Sequence, residues 1–316
     1  MKILITGVHG FVGNNLVKEL SKEHTIYGLD IITPRKEGVK YTFSWDDLDK
    51  ESMIPNVDAI IHLAGKAHDT KNHAAADVYF KVNTDLTKRI YDYYLSSPTA
   101  TKFIFFSSVK AAADRVEGEF VDENVIPAPV GPYGESKIAA ERYILSNTNL
   151  ANETNKKVYI LRPCMIHGPG NKGNLNLLYG VVKKGIPWPL GAFENKRTFT
   201  SIDNLSFIIT GLLTKDIESG IYHINDDEAL STNELIKIMC AAMGKKAHIW
   251  HIPQGLMEGV AKLGGTLHLP LNPERIQKLT ENYVSSNAKI KKALGINQLP
   301  VRAKDGLTKT TKSFEA

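Results

Sequence analysis

The sequence predicts an α/β fold in which a doubly wound parallel sheet carries helices on both faces and a smaller lobe follows it in the chain. Three observations carry that expectation. Short runs rich in β-branched and aromatic residues recur from Lys2 to Leu161 at the spacing of βα units. These runs are nearly continuous in their apolarity, as strands buried on both faces are, rather than alternating. After about residue 165 the regular alternation gives way to Gly- and Pro-rich stretches, His167–Gly173 and Gly185–Gly191. The expected division is a domain over residues 1–165 and a smaller lobe over 166–316 that returns some segments to the first.

Taken in order, Lys2–Thr6 reads as a short strand and Phe11–Leu20 as an amphipathic helix. Thr25–Leu29 is the next strand, Val39–Phe43 a weaker one, and Ala59–Leu63 a clear one. Lys102–Phe106 is apolar on both faces, and Val158–Leu161 follows a long helix. In the lobe, Ser231–Met243 reads as a helix in which Ser231 caps and Glu234 completes a capping box. The tail Arg302–Ala316 is polar and is expected to be loosely held.

Composition narrows the class. The 316 residues are 42% hydrophobic and 23% charged, as in ordinary globular proteins, and suffice for a sizeable core. The net charge of +5 is spread along the chain without the dense Lys/Arg runs that nucleic-acid binding needs. No apolar run approaches the roughly 18 residues of a membrane span. Cys164 and Cys240 lack ligand or disulfide spacing, so neither a metal site nor a disulfide framework is expected. The opening MKILITGVHGFVG reads as strand and turn rather than as a signal peptide, and the expected location is cytoplasmic.

Gly7, Gly10 and Gly13 are spaced three and three between the first strand and the first helix. Such glycines permit a tight turn, close approach of a pyrophosphate and close packing of helix on strand. The helix start at Phe11, Val12 and Gly13 then offers free N–H groups and a positive dipole end to the phosphates. Asp30 ends the second strand, where a carboxylate accepts from adenine ribose hydroxyls and repels a 2′-phosphate. This arrangement favours NAD in a Rossmann-type domain; Arg35 and Lys36, close behind, keep NADP as the alternative.

Tyr133-Gly134-Glu135-Ser136-Lys137 places a phenol and an ammonium on one helical face. A neighbouring ammonium and a positive nicotinamide are expected to lower the phenol's pKa, so that Tyr133 exchanges a proton as hydride moves. Together with Thr6–Gly13 and a strand ending in Ser107-Ser108, this motif resembles the extended short-chain dehydrogenase/reductases. The resemblance covers residues 1 to about 205. It implies a catalytic set of Ser108, Tyr133 and Lys137, with Ser107 as the neighbouring alternative to Ser108, and assigns Lys137 also to the cofactor ribose. It further implies cofactor contacts at Leu63, Ala64, Gly65, Asn83, Tyr133 and Pro163, with Asn83 tying strands together near the site. His167 stands where the family usually has tyrosine and reads as a structural, hydrogen-bonded histidine.

Sugar-nucleotide members of the family carry a substrate loop and a later arginine. The resemblance therefore points to Lys172–Asn176, with Asn174 and Leu175, and to Arg197 as a forked donor to a diphosphate. Ser108 would also touch the substrate. Val109-Lys110 replaces the Asp-Glu pair of the family's dehydratases, which sets dehydration aside. A UDP-hexose or UDP-N-acetylhexosamine 4-epimerase and a UDP-4-keto-6-deoxy-sugar reductase both remain, the first preferred. A non-catalytic dinucleotide sensor is the rival of another class, disfavoured because Tyr133 and Lys137 are both present. Relatives of this kind commonly form homodimers through two helices per subunit.

Overall fold

The computed structural model describes residues 1–50, 52–67, 75–171, 173–266 and 273–315. Among the described residues nine strands form two sheets: β1 (Lys2–Thr6), β2 (Thr25–Asp30), β3 (Tyr41–Ser44), β4 (Ala59–His62), β5 (Lys102–Phe106), β6 (Lys157–Pro163), β7 (Met165–His167), β8 (Phe199–Ser201) and β9 (Gly220–Ile224). The large sheet runs β3-β2-β1-β4-β5-β6-β9 and every pairing in it is parallel. Strand order reverses between β1 and β4, the switch point at whose carboxyl ends such sheets bind ligands.

The continuous apolar runs now have their cause. On β5, Phe103 and Phe105 face one core while Ile104 and Phe106 face the other. One core packs Leu16, Val17 and Leu20 of helix Phe11–Leu20 and Leu205, Ile208 and Leu212 of helix Ile202–Thr214 against the sheet. The opposite core is built from Ile90, Tyr91 and Tyr94 of helix Leu86–Ser96 and Ala140 and Ile144 of helix Gly131–Ser146. Fully burying each such side chain contributes about 1.5–3 kcal/mol, and Phe103→Ala would cost about 3–5 kcal/mol.

Three segments beyond residue 165, helix Ile202–Thr214, β9 and helix Ala288–Leu294, belong physically to this sheet. Much of the rest of the C-terminal portion has its own core. Leu175, Tyr179 and Val182 of helix Asn174–Lys183 meet Leu235, Ile236 and Met239 of helix Thr232–Ala242 there. That second helix carries the expected capping box: Ser231 Oγ accepts from Glu234 N at 3.1 Å, and Glu234 Oε2 accepts from Ser231 N at 2.7 Å.

The tail departs from expectation. Residues Ala303–Ser313 form a helix packed on Thr232–Ala242, with Leu307, Thr310 and Thr311 buried. The polar sequence conceals this because the threonines satisfy their own helix. Thr310 Oγ1 donates to Gly306 O at 2.9 Å and Thr311 Oγ1 to Leu307 O at 2.8 Å, leaving their methyls to pack. Gly306 lets the helix close in, since a Cβ there would lie 2.9 Å from Ser201 Cβ.

Candidate active site

The glycine turn is built by contacts that exclude side chains. Gly7 has φ +69°, and a Cβ on it would sit 2.9 Å from the Ala64 amide nitrogen, so the end of β1 abuts the segment leaving β4. A Cβ on Gly13 would lie 2.5 Å from Gly7 O, which is how the helix seats directly on the turn. Gly10 precedes helix Phe11–Leu20 without a side-chain cap, and no acidic residue occupies the first turn. The amides of Phe11 and Val12 therefore open a helix whose dipole is unopposed, a cradle suited to a pyrophosphate. At the end of β2, buried Asp30 accepts from His9 N through Oδ2 (2.9 Å) and from Ile31 N through Oδ1 (2.8 Å). Each oxygen keeps a second lone pair for a ribose hydroxyl. These features fit a bound NAD. Lys36 hydrogen-bonds Asn14 and lies near enough to Asp30 to feel its charge, while Arg35 is exposed.

Behind the turn runs a buried polar chain. Thr6 Oγ1 accepts from Ala64 N at 3.0 Å and shares a 2.6 Å hydrogen bond with His62 Nδ1. His62 Nε2 pairs with Thr87 Oγ1 at 2.9 Å, and Thr87 donates to Asn83 O at 2.7 Å. Burial, aided by the Lys137 charge, pushes the His62 imidazolium down to about 3, so the ring is neutral and structural.

Beyond β5 the two serines diverge. Ser107 donates inward to Glu141. Ser108 caps the short helix Val109–Ala112, accepting from Lys110 N at 3.2 Å, and hydrogen-bonds the Tyr133 phenol. The geometry thus separates the two candidates and selects Ser108 as Tyr133's partner. Helix Gly131–Ser146 presents Tyr133 and Lys137 one turn apart. It reaches so close to the β5 end because Gly134 follows the tyrosine, where a Cβ would stand 2.6 Å from Lys110 O. Lys137 Nζ donates to Phe106 O at 2.8 Å and lies 5.2 Å above the Phe105 ring. Burial pulls its ammonium down to about 8, with Glu141 opposing.

The phenol does not follow the sequence-based expectation. Burial raises the Tyr133 pKa, and the counteracting influence is the Ser108 hydrogen bond rather than the lysine. One of the three donors of the Lys137 ammonium is taken by the Phe106 carbonyl. The backbone after β4 passes beside it, since a Cβ on Gly65 would lie 3.1 Å from Lys137 Nζ and 3.0 Å from Asn83 Oδ1. Gly65 thus flanks the lysine, while Leu63 and Ala64 abut Gly7 of the turn. Asn83 ties different partners than expected. Its Oδ1 accepts from Lys66 N (2.7 Å), and its Nδ2 donates to Lys66 O (3.1 Å) and Ser136 Oγ (3.0 Å). It joins the post-β4 segment to the tyrosine helix instead of joining two strands.

On the lobe side, Pro163 ends β6 and is buried. The turn after β7 sits on the first helix: Asn15 Nδ2 donates to Pro169 O at 3.0 Å, and a Cβ on Gly168 would stand 3.7 Å from the Phe11 ring. His167 is fully buried, with Nδ1 2.9 Å from Thr310 Oγ1 and Nε2 3.5 Å from Asp226 Oδ2, the hydrogen-bonded histidine expected there. Arg197 lies between Leu230 and Tyr283 in backbone bridges, with its guanidinium 3.9 Å from Glu281. Burial lowers its pKa. Leu175 is corrected: its side chain is buried in the lobe core, so only its backbone at the start of helix Asn174–Lys183 is available to a ligand. Asn174, the first residue of that helix, is exposed. Lys172 lies outside the described residues.

Sequence reasoning passed over Glu141 and Glu281, and took Thr6 only as part of the turn motif. Of the two passed over, only Glu141 carried a signal, standing four residues after Lys137 on the same helical face.

Comparison with known proteins agrees with this architecture. The chain is 32% identical over 273 residues to the UDP-glucose 4-epimerase of Vibrio cholerae, covering 79% of this chain and 78% of that protein. It is 26% identical to the N-acetyl-α-D-glucosaminyl-diphospho-ditrans,octacis-undecaprenol 4-epimerase of Escherichia coli O157:H7, covering 94% of this chain and 86% of that protein. The crystal structure of a UDP-N-acetylglucosamine 4-epimerase from Bacillus cereus superposes with a TM-score of 0.78 at 19% identity, covering 100% of both chains, and so shares the fold. Residues 3–224 match the sequence description of one family, and on that match the chain belongs to the NAD dependent epimerase/dehydratase family.

Proposed function

We propose that this protein is an NAD-dependent 4-epimerase of a UDP-linked hexose or N-acetylhexosamine, acting through a 4-keto sugar. The observation that carries the reading is the convergence of Ser108, Tyr133 and Lys137 at the carboxyl end of β5, beside the Leu63–Gly65 backbone. Bound NAD supplies a reversible hydride acceptor and a positive ring whose charge opposes the burial that raises Tyr133.

The chain's own residues do the rest. Ser108 Oγ holds the C4 oxygen, and Tyr133 Oη takes its proton as the C4–H bond breaks. After the keto sugar presents its other face, Tyr133 returns the proton to the new alcohol. Lys137, fixed by Phe106 O, supports the phenolate and holds cofactor ribose hydroxyls; Asp30 holds the adenine ribose. Gly7, Gly10, Phe11, Val12 and Gly13 carry the pyrophosphate on backbone amides. Asn174 and the Leu175 backbone face the substrate diphosphate at a helix start, and Arg197 pairs with it in competition with Glu281. The setting we infer is the cytoplasm, in keeping with the buried, unpaired Cys164 and Cys240.

The test is incubation of the purified enzyme, without added cofactor, with UDP-glucose and with UDP-N-acetylglucosamine. Conversion to the galacto epimers is expected. Inertness there, with NADH or NADPH consumed on a UDP-4-keto sugar, would replace the epimerase by a reductase. Turnover confined to undecaprenyl-diphosphate-linked N-acetylglucosamine would move the substrate off UDP.

A further inference from the structure

One buried ionic cluster beneath the site is used by none of the steps above. Glu141 and Arg162 are 0% and 1% exposed and form a two-pronged pair, Arg162 Nη2 to Glu141 Oε2 at 2.6 Å and Arg162 Nε to Glu141 Oε1 at 3.0 Å. Ser107 donates to the same Oε1. Burying an ion pair gains little stability over well-packed apolar residues, and Arg162 Nη1 has no hydrogen-bond partner among the described residues. As filler, the cluster is a costly choice.

Its position gives it another meaning. Ser107 lies between Phe106, whose carbonyl holds the Lys137 amine, and Ser108, whose hydroxyl meets Tyr133. On its other side Ser107 N donates to Leu161 O at 2.8 Å, the residue before Arg162. Glu141 follows Lys137 by one helical turn, so one carboxylate couples the helix that bears the phenol and ammonium to two adjacent strand ends. We propose that Glu141 is a positioning residue: anchored by Arg162, its carboxylate fixes Ser107 and thereby the Phe106 carbonyl and Ser108 hydroxyl on which Lys137 and Tyr133 depend. This rests on the catalytic reading given above.

The groups around the Lys137 amine separate charge from position. Glu141 acts on it from its own helix, neutral His62 from β4, and the Phe106 carbonyl from β5, with the Gly65 backbone alongside; Arg162 acts through Glu141. Ser107→Ala changes no charge, and Glu141→Asp keeps the charge while withdrawing the carboxylate. Both therefore report position. The expected result for Ser107→Ala is a kcat lower by about 5-fold, the worth of one hydrogen bond. Glu141→Asp is expected to lose about 10–100-fold, as small misplacements of reacting groups do. In both, KM stays within about threefold of wild type, marking loss of an interaction used only in the transition state.

Competitive labelling of the Lys137 amine across pH supplies a readout that needs no substrate. A titration moved from the wild-type value in Ser107→Ala supports the coupling even if the preferred sugar proves wrong. Failure of wild type on every UDP sugar and on the undecaprenyl-diphosphate-linked sugar sinks the catalytic reading instead. Wild-type kcat and wild-type Lys137 titration together in Ser107→Ala, which removes one hydroxyl and spares the fold if Glu141→Asp does not, would overturn the positioning role.

Discussion

The two sides of the cleft are organised by different means. On the sheet side, backbone does the work: Gly7 against Ala64, Gly13 on Gly7 O, Gly65 beside Lys137, Gly134 under Lys110 O. Each of these contacts is made at or close beyond a strand end. On the lobe side, side chains from distant segments meet, as when His167 finds Thr310 across 143 residues or Asn195 Nδ2 donates to Thr232 Oγ1. There the chief charged candidate, Arg197, already faces Glu281 at 3.9 Å. The difference teaches that the sheet side is shaped by its own backbone, while on the lobe side Arg197, if it takes the proposed role, would have to exchange an internal partner for a ligand.

Tyr133→Phe tests the sheet side most severely. It should lower kcat by about 10²–10⁴-fold, the range for a positioned acid–base group, with NAD affinity within a few-fold because the ring still packs. Near-wild-type turnover in a steady-state assay would remove the proton-transfer role. Lys137→Met should also abolish most turnover, yet raise the thermal midpoint near neutral pH. Burial holds the Lys137 ammonium near 8 instead of 10.5, so the unfolded chain binds the extra proton between those values and wild-type stability rises with pH across that window. A lower midpoint for the methionine variant at pH 7 would contradict this.

Arg197→Met probes the lobe side and should raise KM by about 10–100-fold while sparing kcat, the worth of a charge-assisted hydrogen bond. An equal fall in kcat would place Arg197 in the chemistry instead of in binding. Asp30→Ala is the mildest. It should weaken NAD several-fold more than NADP in equilibrium binding, and equal losses would confine Asp30 to holding His9 N.

The same contrast decided what could be read from residues alone. Six of the nine strands among the described residues, β1 to β6, lie in the runs read as strands, most of them apolar on both faces, and β5 shows why, with Phe103 and Ile104 in opposite cores. The glycine turn and Tyr133–Lys137 were legible because their chemistry needs fixed spacing along one short segment. The direction of the Tyr133 shift was not, because desolvation depends on what surrounds a group and no spacing records it. Leu175 misled for a related reason: a helix start exposes backbone while its second residue turns into the core. The threonine-rich tail failed on composition, since hydroxyls that bond within their own helix count as polar in a sequence and pack as methyls in a fold.

The helix Ala303–Ser313 has a consequence for how the molecule comes into being. Leu307 fills the lobe core and Thr310 steadies His167, so the lobe is unfinished until that stretch has left the ribosome. All but one strand of the large sheet has been synthesised long before then, and β9 is complete at residue 224. During the interval the lobe's greasy floor stands open, a natural foothold for chaperones and proteases. A chain stopped shortly before Ala303 would keep every strand of the large sheet and lack the helix that fills the lobe core.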